Sequence, residues 1–415
     1  MNSMRKNLLM VIPNLGLGGA QRAFHDHSVE LSKYYNVTEA VFDLDLDNLY
    51  PSGNRLESLQ VAGGGGPVQK VSNFFRRVRE LKRLKKRLRT DICISHLEGA
   101  DYVNLLSKGQ EKVILLIQGS KTHDRNISGL TGWLRKDVLM PMLYKRADRI
   151  VCVSRDIIPE MINDYGVAPG KLSAINNSFE VESVWERAQE PLPPAMQAVY
   201  ESGPILVTSG RLAIQKNQKP LLDIFAELHK TQPAKLVFIG DGELRVELVE
   251  HARSLGLRVY EAWAETPLTP EFDVYFVGLQ HNPFQYIRPA TAFVFPSAWE
   301  GFPLALGEAM TCGVPVVSTD CPTGPREMLA PDSDTPARPI RTAEWAKYGL
   351  LMPMLTDAAT LAADQKIWVE TLRTLLADAG KRQQLGQAAR LRSNDFTHAN
   401  TFRRWQKLID EVLAE

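Results

Sequence analysis

Short apolar, β-branched runs alternate with longer amphipathic stretches along the whole chain. In the first half the runs begin at Leu8, Val37, Asp91, Val113, Arg149 and Leu172. In the second half they begin at Ile205, Lys235, Asp273, Ala292, Pro315 and Gly349. Runs of about four to seven residues without polar alternation predict strands buried on both faces, since a half-solvated strand alternates. The stretches between them suit crossover helices. This is the pattern of a parallel α/β sheet, and it occurs twice.

The rhythm breaks between Trp185 and Pro204, where Pro191, Pro193, Pro194 and Pro204 cluster and strand formers are few. That segment is expected to be an interdomain linker. The expected organisation is one Rossmann-like α/β domain over 1–185, a second over 200–395, and a C-terminal helix over 396–415. The helix carries Phe402, Trp405, Leu408, Ile409 and Val412 on one stripe and is expected to cross back to the first domain. The run Gly63 to Gly66 predicts a flexible loop. In open α/β sheets ligands bind beyond the carboxyl ends of the strands. Two such domains are expected to face each other across a central cleft, so the loops that follow the strands are where chemistry is sought.

At 415 residues the chain exceeds one ordinary core, in keeping with two domains. No stretch approaches the ~20 apolar residues of a membrane-spanning helix. The run Leu8 to Pro13 flows into a Gly-rich turn with no small-residue cleavage site behind it. It predicts the first strand and not a signal peptide, and so a cytoplasmic protein. Cys93, Cys152, Cys312 and Cys321 form no Cys-x-x-Cys pair, which predicts buried, reduced thiols and not disulfides or zinc ligands. Charge is unevenly placed. Residues 1–180 hold 26 Lys and Arg against 19 Asp and Glu, a balance of +7; the rest hold 23 against 29, a balance of −6.

Three loops carry candidate chemistry. Asn14-Leu-Gly-Leu-Gly-Gly-Ala-Gln-Arg22 follows the first strand and opens a helix. Its glycines let backbone N–H groups approach an anion at the positive end of that helix. Its spacing departs from the dinucleotide fingerprint, since position 21 is Gln, and this disfavours a nicotinamide enzyme. The second loop, Ser209-Gly-Arg-Leu-Ala-Ile-Gln-Lys-Asn217, puts Arg211 and Lys216 between a strand end and a helix start. There Arg clamps a phosphate with two parallel bonds and Lys adds a compact charge. The third, Glu300-Gly-Phe-Pro-Leu-Ala-Leu-Gly-Glu308, embeds two carboxylates in a small, apolar run. Such glutamates are not ordinary surface charges. A carboxylate that accepts from two vicinal hydroxyls suits a ribose or a sugar ring.

On these motifs the chain resembles the retaining glycosyltransferases of family 4, which have the GT-B fold. The resemblance covers nearly the whole chain. It is most specific in Gly-Arg-x4-Lys-Asn at 210–217, Phe-Ile-Gly-Asp-Gly at 238–242, Glu-x7-Glu at 300–308 and Cys-Pro-Thr-Gly-Pro-Arg-Glu at 321–327. The last element looks like that of members that build bacterial surface polysaccharides and lipid-linked oligosaccharides. The resemblance implies that the second domain binds a nucleotide-sugar donor, commonly UDP-linked, and that the first binds a glycan or undecaprenyl-linked acceptor. It implies that Arg211 and Lys216 hold the donor diphosphate, that Glu308 holds the ribose and that Glu300 contacts the donor sugar. Phe302, Pro303 and Leu304 would supply backbone amides to the donor, and Gly18 and Gly19 would face the diphosphate from the first domain. No cofactor and no metal ion are expected. The Asp-x-Asp run Asp43-Leu-Asp45-Leu-Asp47 is read as an exposed loop.

The sequence also departs from the family. Many members have His-Gly after the fourth strand of the first domain, where this chain has Gln118-Gly119. Gln donates and accepts hydrogen bonds but takes no proton at neutral pH, so Gln118 is expected to orient the sugar. His96 and His123 are the nearby alternatives for sugar or acceptor contact. Retention is expected through same-face attack, with charge on the leaving phosphate stabilised by Arg211, Lys216 and helix N-termini. Other readings stay open: a sugar-nucleotide epimerase or glycan phosphorylase on the same fold, and a non-catalytic nucleotide-sugar-binding scaffold.

Arg76 to Arg89 hold nine Lys and Arg and one acid, Glu80, while Phe74, Phe75, Val78, Leu81, Leu84 and Leu88 recur at helical spacing. A basic amphipathic helix over 74–89 either lies against an anionic membrane surface or packs on the core with a solvated basic face. The first reading would put the protein on the inner face of the cytoplasmic membrane. Nucleic acid is disfavoured, because the cations lack aromatics on the same face.

Overall fold

The computed structural model describes residues 5–16, 18–44, 51–122, 129–333 and 339–415. The chain divides into two units, one made of the residues up to Ser178 with His398–Glu415, the other of Phe179–Thr397.

In the first unit β1 (Asn7–Ile12), β2 (Asn36–Val41), β3 (Arg55–Ser58), β4 (Ile92–His96), β5 (Lys112–Ile117), β6 (Arg149–Cys152) and β7 (Leu172–Ala174) form one sheet. Its order is β3-β2-β1-β4-β5-β6-β7, with parallel pairing throughout. Leu8 to Ile12 are buried along their whole length, which is why that run carries no polar alternation. In the second unit β8 (Ile205–Ser209), β9 (Lys235–Ile239), β10 (Val259–Glu261), β11 (Val274–Phe276), β12 (Ala292–Phe295), β13 (Val316–Thr319), β14 (Glu344–Ala346) and β15 (Gly349–Met352) form another. The order here is β10-β11-β9-β8-β12-β13-β15-β14, and only the edge strand β14 is antiparallel among the described pairs.

Every apolar run named above becomes a strand that starts within one residue of the expected position. The strands not foreseen are β3, β10 and β14, which are short and only partly buried. The Pro-rich stretch is not where the chain passes between units, for the boundary falls at Ser178/Phe179. Helices Val181–Arg187 and Pro194–Glu201 occupy it instead. Pro194 stands in the first turn, where a missing N–H costs nothing, and Tyr200 Oη donates to the Tyr286 carbonyl at 2.7 Å. The chain passes back at Thr397/His398, beside the first passage: Phe179 N donates to the Phe396 carbonyl at 2.9 Å, and Phe179 bridges Thr397 in parallel.

The closing helix, His398–Ala414, buries Phe402, Trp405, Leu408, Ile409 and Val412, the expected stripe. It returns to the first unit. The His27 ring on helix Gly19–Leu31 meets Phe402 and Trp405 edge-on at 5.3 and 5.1 Å, and Tyr35 Oη donates to Asp410 at 2.9 Å. All four cysteines are buried and none is in a disulfide.

Helix Pro67–Leu88 settles the two readings of 74–89 unevenly. Leu81 and Leu84 join the core cluster of the first sheet, with Phe74, Val78 and Leu88 packed against it. That stripe is a core stripe. Two of the nine cations also turn inward. Lys85 pairs with Glu111 at 2.8 Å, both side chains nearly inaccessible, and Arg77 donates to the carbonyls of Val61 and Ala62. A second apolar stripe, Val68, Val71 and Phe75, faces solvent. No helix among the described residues is long and apolar enough to cross a membrane.

Candidate functional site

In the second sheet, β8 is flanked by β9 on one side and by β12 on the other. Connections run in opposite directions from this point, so the loops after β8 and β12 diverge and leave a crevice at the strand ends. The first of these loops supplies Arg211 and Lys216, the second Glu300.

The β8 loop is shaped by backbone contact with the β9 loop. Gly210 N donates to the Ile239 carbonyl and Leu212 N to the Asp241 carbonyl, both at 3.0 Å. A Cβ on Gly240 would stand 2.1 Å from the Gly210 carbonyl oxygen, so only glycine permits this approach. The Phe-Ile-Gly-Asp-Gly motif therefore holds the Arg211 loop. The chain then makes a 3-10 turn, Ile214–Lys216, closed by Asn217 at φ 51°.

That turn aims Lys216 at Glu300. Its Nζ donates to Glu300 Oε1 at 2.6 Å, and it lies 5.2 Å from the centroid of the Phe295 ring at the end of β12. Both side chains are largely removed from water. Arg211 is not brought into this pair. Its side chain stays 67% exposed and its Nε donates to Glu243, on the rim.

Glu308 is buried on helix Leu304–Cys312. Pro303 caps that helix without a side-chain bond, and amides at a helix start suit an anion. Pro303 itself has no N–H, which narrows the expected backbone contacts of 302–304 to Phe302 and Leu304. The Phe302 side chain points away from this role and packs on Phe179 and Phe396, at 6.2 and 5.1 Å between ring centroids.

In the first unit the sheet order turns at β1 and β4. After β1, Gly18 is extended and helix Gly19–Leu31 begins with no side-chain cap. Asn14 Oδ1 accepts from Gly16 N and from Gln21 Nε2, each at 3.2 Å. After β4, Leu97 sits at φ 73°, a costly conformation for such a residue, and turns the chain into helix Glu98–Leu106.

His96 does not reach the surface. It is fully buried, edge-on to Phe24 and His27 at 5.1 and 5.2 Å, and burial pushes its pKa well below the ordinary value. A neutral ring so placed is a poor candidate for contact with an acceptor. Its Nδ1 lies 3.5 Å from Gln118 Nε2. His123 and Asp45 lie outside the described residues.

Sequence reasoning missed a second cluster at the end of β4. Arg135 donates to both oxygens of Glu98, at 2.7 and 2.6 Å, and Tyr102 Oη donates at 2.6 Å. Burial works against the Glu98 charge, but these bonds hold its pKa below the usual value. Asp101 lies deeper, accepts from Ser95 Oγ at 2.7 Å, and burial raises its pKa to about 7. The partners are 37 positions apart in the one case and enclosed in the other, and no periodicity announces either.

The profile described as Glycosyltransferase Family 4 matches residues 17–183, and the one described as Glycosyl transferases group 1 matches 194–335. An uncharacterized glycosyltransferase of Methanocaldococcus jannaschii is 26% identical over 82% of this chain and 84% of its own length. An N-acetylgalactosamine-N,N'-diacetylbacillosaminyl-diphospho-undecaprenol 4-alpha-N-acetylgalactosaminyltransferase of Campylobacter jejuni is 24% identical over 94% of this chain and 96% of its own. The Anabaena HepE structure, in complex with UDP and glucose, superposes with a TM-score of 0.72 at 16% identity, over 98% of this chain and 100% of its own. That likeness shows the fold. With two parallel α/β units matched in chain order by these two profiles, the chain belongs to the family 4 glycosyltransferases of the GT-B fold.

Proposed function

We propose that this glycosyltransferase moves a hexose or N-acetylhexosamine from a UDP-sugar, with retention at the anomeric carbon, to a glycan or undecaprenyl-linked acceptor in bacterial surface-polysaccharide or lipid-linked oligosaccharide assembly. The observation that carries this reading is the Lys216–Glu300 pair at the switch point of the second sheet. It puts a cation for a diphosphate and a carboxylate for sugar hydroxyls within one hydrogen bond of each other. The names of the relatives support the donor and acceptor classes. The Campylobacter protein is named for a diphospho-undecaprenol acceptor, and the Anabaena protein was captured with UDP.

In the proposed reaction the acceptor hydroxyl attacks the face from which the diphosphate leaves, the C–O bond to that phosphate breaks, and the leaving phosphate takes the hydroxyl proton. Charge develops on the leaving phosphate, so groups that meet that charge lower the barrier. Lys216 and Arg211 supply cations and the first turn of helix Leu304–Cys312 supplies amides. Glu308 holds the ribose and Glu300 the donor sugar. Cations and amides meet the phosphate charge, so no divalent ion is assigned a step, and turnover should survive a chelator. We further propose that helix Pro67–Leu88 rests on an anionic membrane, through Val68, Val71 and Phe75 with the cations that stay outside.

The deciding experiment is a thermal-shift panel of UDP-, GDP-, ADP- and dTDP-sugars, followed by turnover with lipid-linked acceptors. Ligand at a hundred times its dissociation constant adds ~2.7 kcal/mol of stability. A shift confined to UDP-sugars, with product formed only when acceptor is present, supports the reading. Nucleotide released with an altered sugar and no acceptor points to an epimerase. Binding without turnover on any acceptor points to a scaffold.

A further inference from the structure

The loop that carries Glu300 is held by its main chain on two sides. Below it lies the Thr323–Gly324 peptide. The Thr323 hydroxyl donates to the Glu300 carbonyl oxygen, and the residue is 2% exposed. Gly324 has φ 92°, and a Cβ there would stand 2.7 Å from both the Gly301 carbonyl oxygen and Pro303 Cδ. From the other side, Gln215 Nε2 donates to the Trp299 carbonyl at 2.8 Å, and Ala298 N donates to the Gln215 carbonyl at 2.8 Å. Gln215 belongs to the same 3-10 turn as Lys216.

The support under Thr323 is itself fixed. Arg326 is 5% exposed and donates to both oxygens of Asp320, at 3.0 and 2.8 Å, while reaching Glu344 at 2.9 Å. Arg392 donates to the carbonyls of Glu327 and Met328, at 3.0 and 3.3 Å. The Cys-Pro-Thr-Gly-Pro-Arg-Glu element thus anchors through Arg326 to β14 and through the carbonyls of Glu327 and the following Met328 to helix Ala379–Ser393.

We infer that Thr323 is a positioning residue for the reaction. By fixing the Glu300 carbonyl it sets where the Glu300 carboxylate meets the donor sugar, and the 320–327 element is the platform for that contact. This rests on the donor-site reading above. Lys216 and Glu308 sit on other elements, the 3-10 turn and helix Leu304–Cys312. Loss of the Thr323 hydroxyl therefore acts on the sugar and spares the nucleotide.

The test compares Thr323→Val, which keeps the volume and removes the donor, with Thr323→Ser, which keeps the hydroxyl. The readouts are kcat and KM with the UDP-sugar that is turned over, and calorimetric affinity for UDP alone. The expected result for Thr323→Val is a roughly ten- to hundredfold loss of kcat/KM, the scale of a small misplacement at a reacting centre. UDP affinity should stay within about twofold, and Thr323→Ser should restore turnover. Undiminished turnover in Thr323→Val overturns the inference. So does a parallel loss of UDP affinity and turnover that Thr323→Ser shares, which would mark a purely structural role. If the unaltered protein binds no nucleoside diphosphate, the donor-site reading fails first and this inference falls with it.

Discussion

Lys216 Nζ donates to Glu300 Oε1 at 2.6 Å, although 84 positions separate the two residues in the chain. The lysine arrives from the loop after β8 and the glutamate from the loop after β12. Each is the other's counter-ion in a place that water reaches poorly. A diphosphate would take over Lys216 and release the carboxylate to sugar hydroxyls. On the proposed reading the pair makes Glu300 a competitor of the phosphate for Lys216.

That competition has opposite consequences for the two partners. Lys216→Ala should weaken UDP binding by roughly ten- to a hundredfold, the worth of a charged hydrogen bond. Glu300→Gln should bind UDP at least as tightly as the unaltered protein, because Lys216 no longer has a carboxylate to leave, yet it should transfer sugar more slowly. Calorimetry with UDP and steady-state turnover separate the two effects. A Glu300→Gln variant that loses UDP affinity as Lys216→Ala does would remove the competition from the account.

Arg211 tests a different point. It stands two-thirds exposed beside an exposed Glu243, a setting in which an ion pair is worth about 0–1 kcal/mol. Arg211→Ala should therefore leave unfolding free energy within about 0.5 kcal/mol of the unaltered protein. If the side chain swings onto the leaving phosphate, turnover falls by about a hundredfold. Denaturant titration and kcat together decide. Unchanged turnover would take Arg211 out of the machinery.

The central strands were legible because burial on both faces leaves an unbroken apolar run, as in Leu8 to Ile12. Edge strands have no such requirement. β3 reads Arg-Leu-Glu-Ser and its residues are exposed or only partly buried, so composition gave no sign of it. Lys216 and Glu300 could be singled out because strand ends in this fold are where ligands bind. Thr323 could be seen only as part of a motif, since its bond to the Glu300 carbonyl depends on where two loops meet. His96 misled because a lone histidine does not say whether it faces water. Pro193 and Pro194 misled because prolines that end one segment also begin a helix. Phe74 and Phe75 are adjacent in sequence, yet one packs on the core and the other faces solvent. The pattern along 74–89 merged two stripes that the structure keeps apart.

Asp101 gives a pH dependence whose sign can be worked out. It faces Ser95, Lys121, Glu98 and Tyr144, and burial raises its pKa from 3.8 to about 7. Between those values the unfolded chain releases a proton that the folded chain keeps. Stability therefore falls as pH rises through this window and flattens above about 7. Asp101→Asn has no proton to release and still accepts from Ser95. Relative to the unaltered protein its melting temperature should rise from pH 4 to pH 8, with a total effect of order a few kcal/mol. A constant offset across that range would show that Asp101 ionises normally.

The two stripes of helix Pro67–Leu88 make the membrane proposal separable from folding. Val68, Val71 and Phe75 are 85%, 58% and 63% exposed, so replacing all three with Ser removes little buried area and should leave the melting temperature unchanged. Leu81 is fully buried, and Leu81→Ala should cost about 2–5 kcal/mol. On vesicles that contain phosphatidylglycerol the order should invert. The triple Ser variant should lose most of its binding, because the apolar stripe is what inserts between headgroups. Replacing Arg76, Arg79, Lys82 and Arg83 with Gln should weaken binding by up to ~1 kcal/mol per charge, and added salt should erase that difference. Sedimentation with neutral vesicles supplies the control. Equal binding of the triple Ser variant and the unaltered protein to anionic vesicles would return this helix to a purely structural role, with its basic face merely solvated.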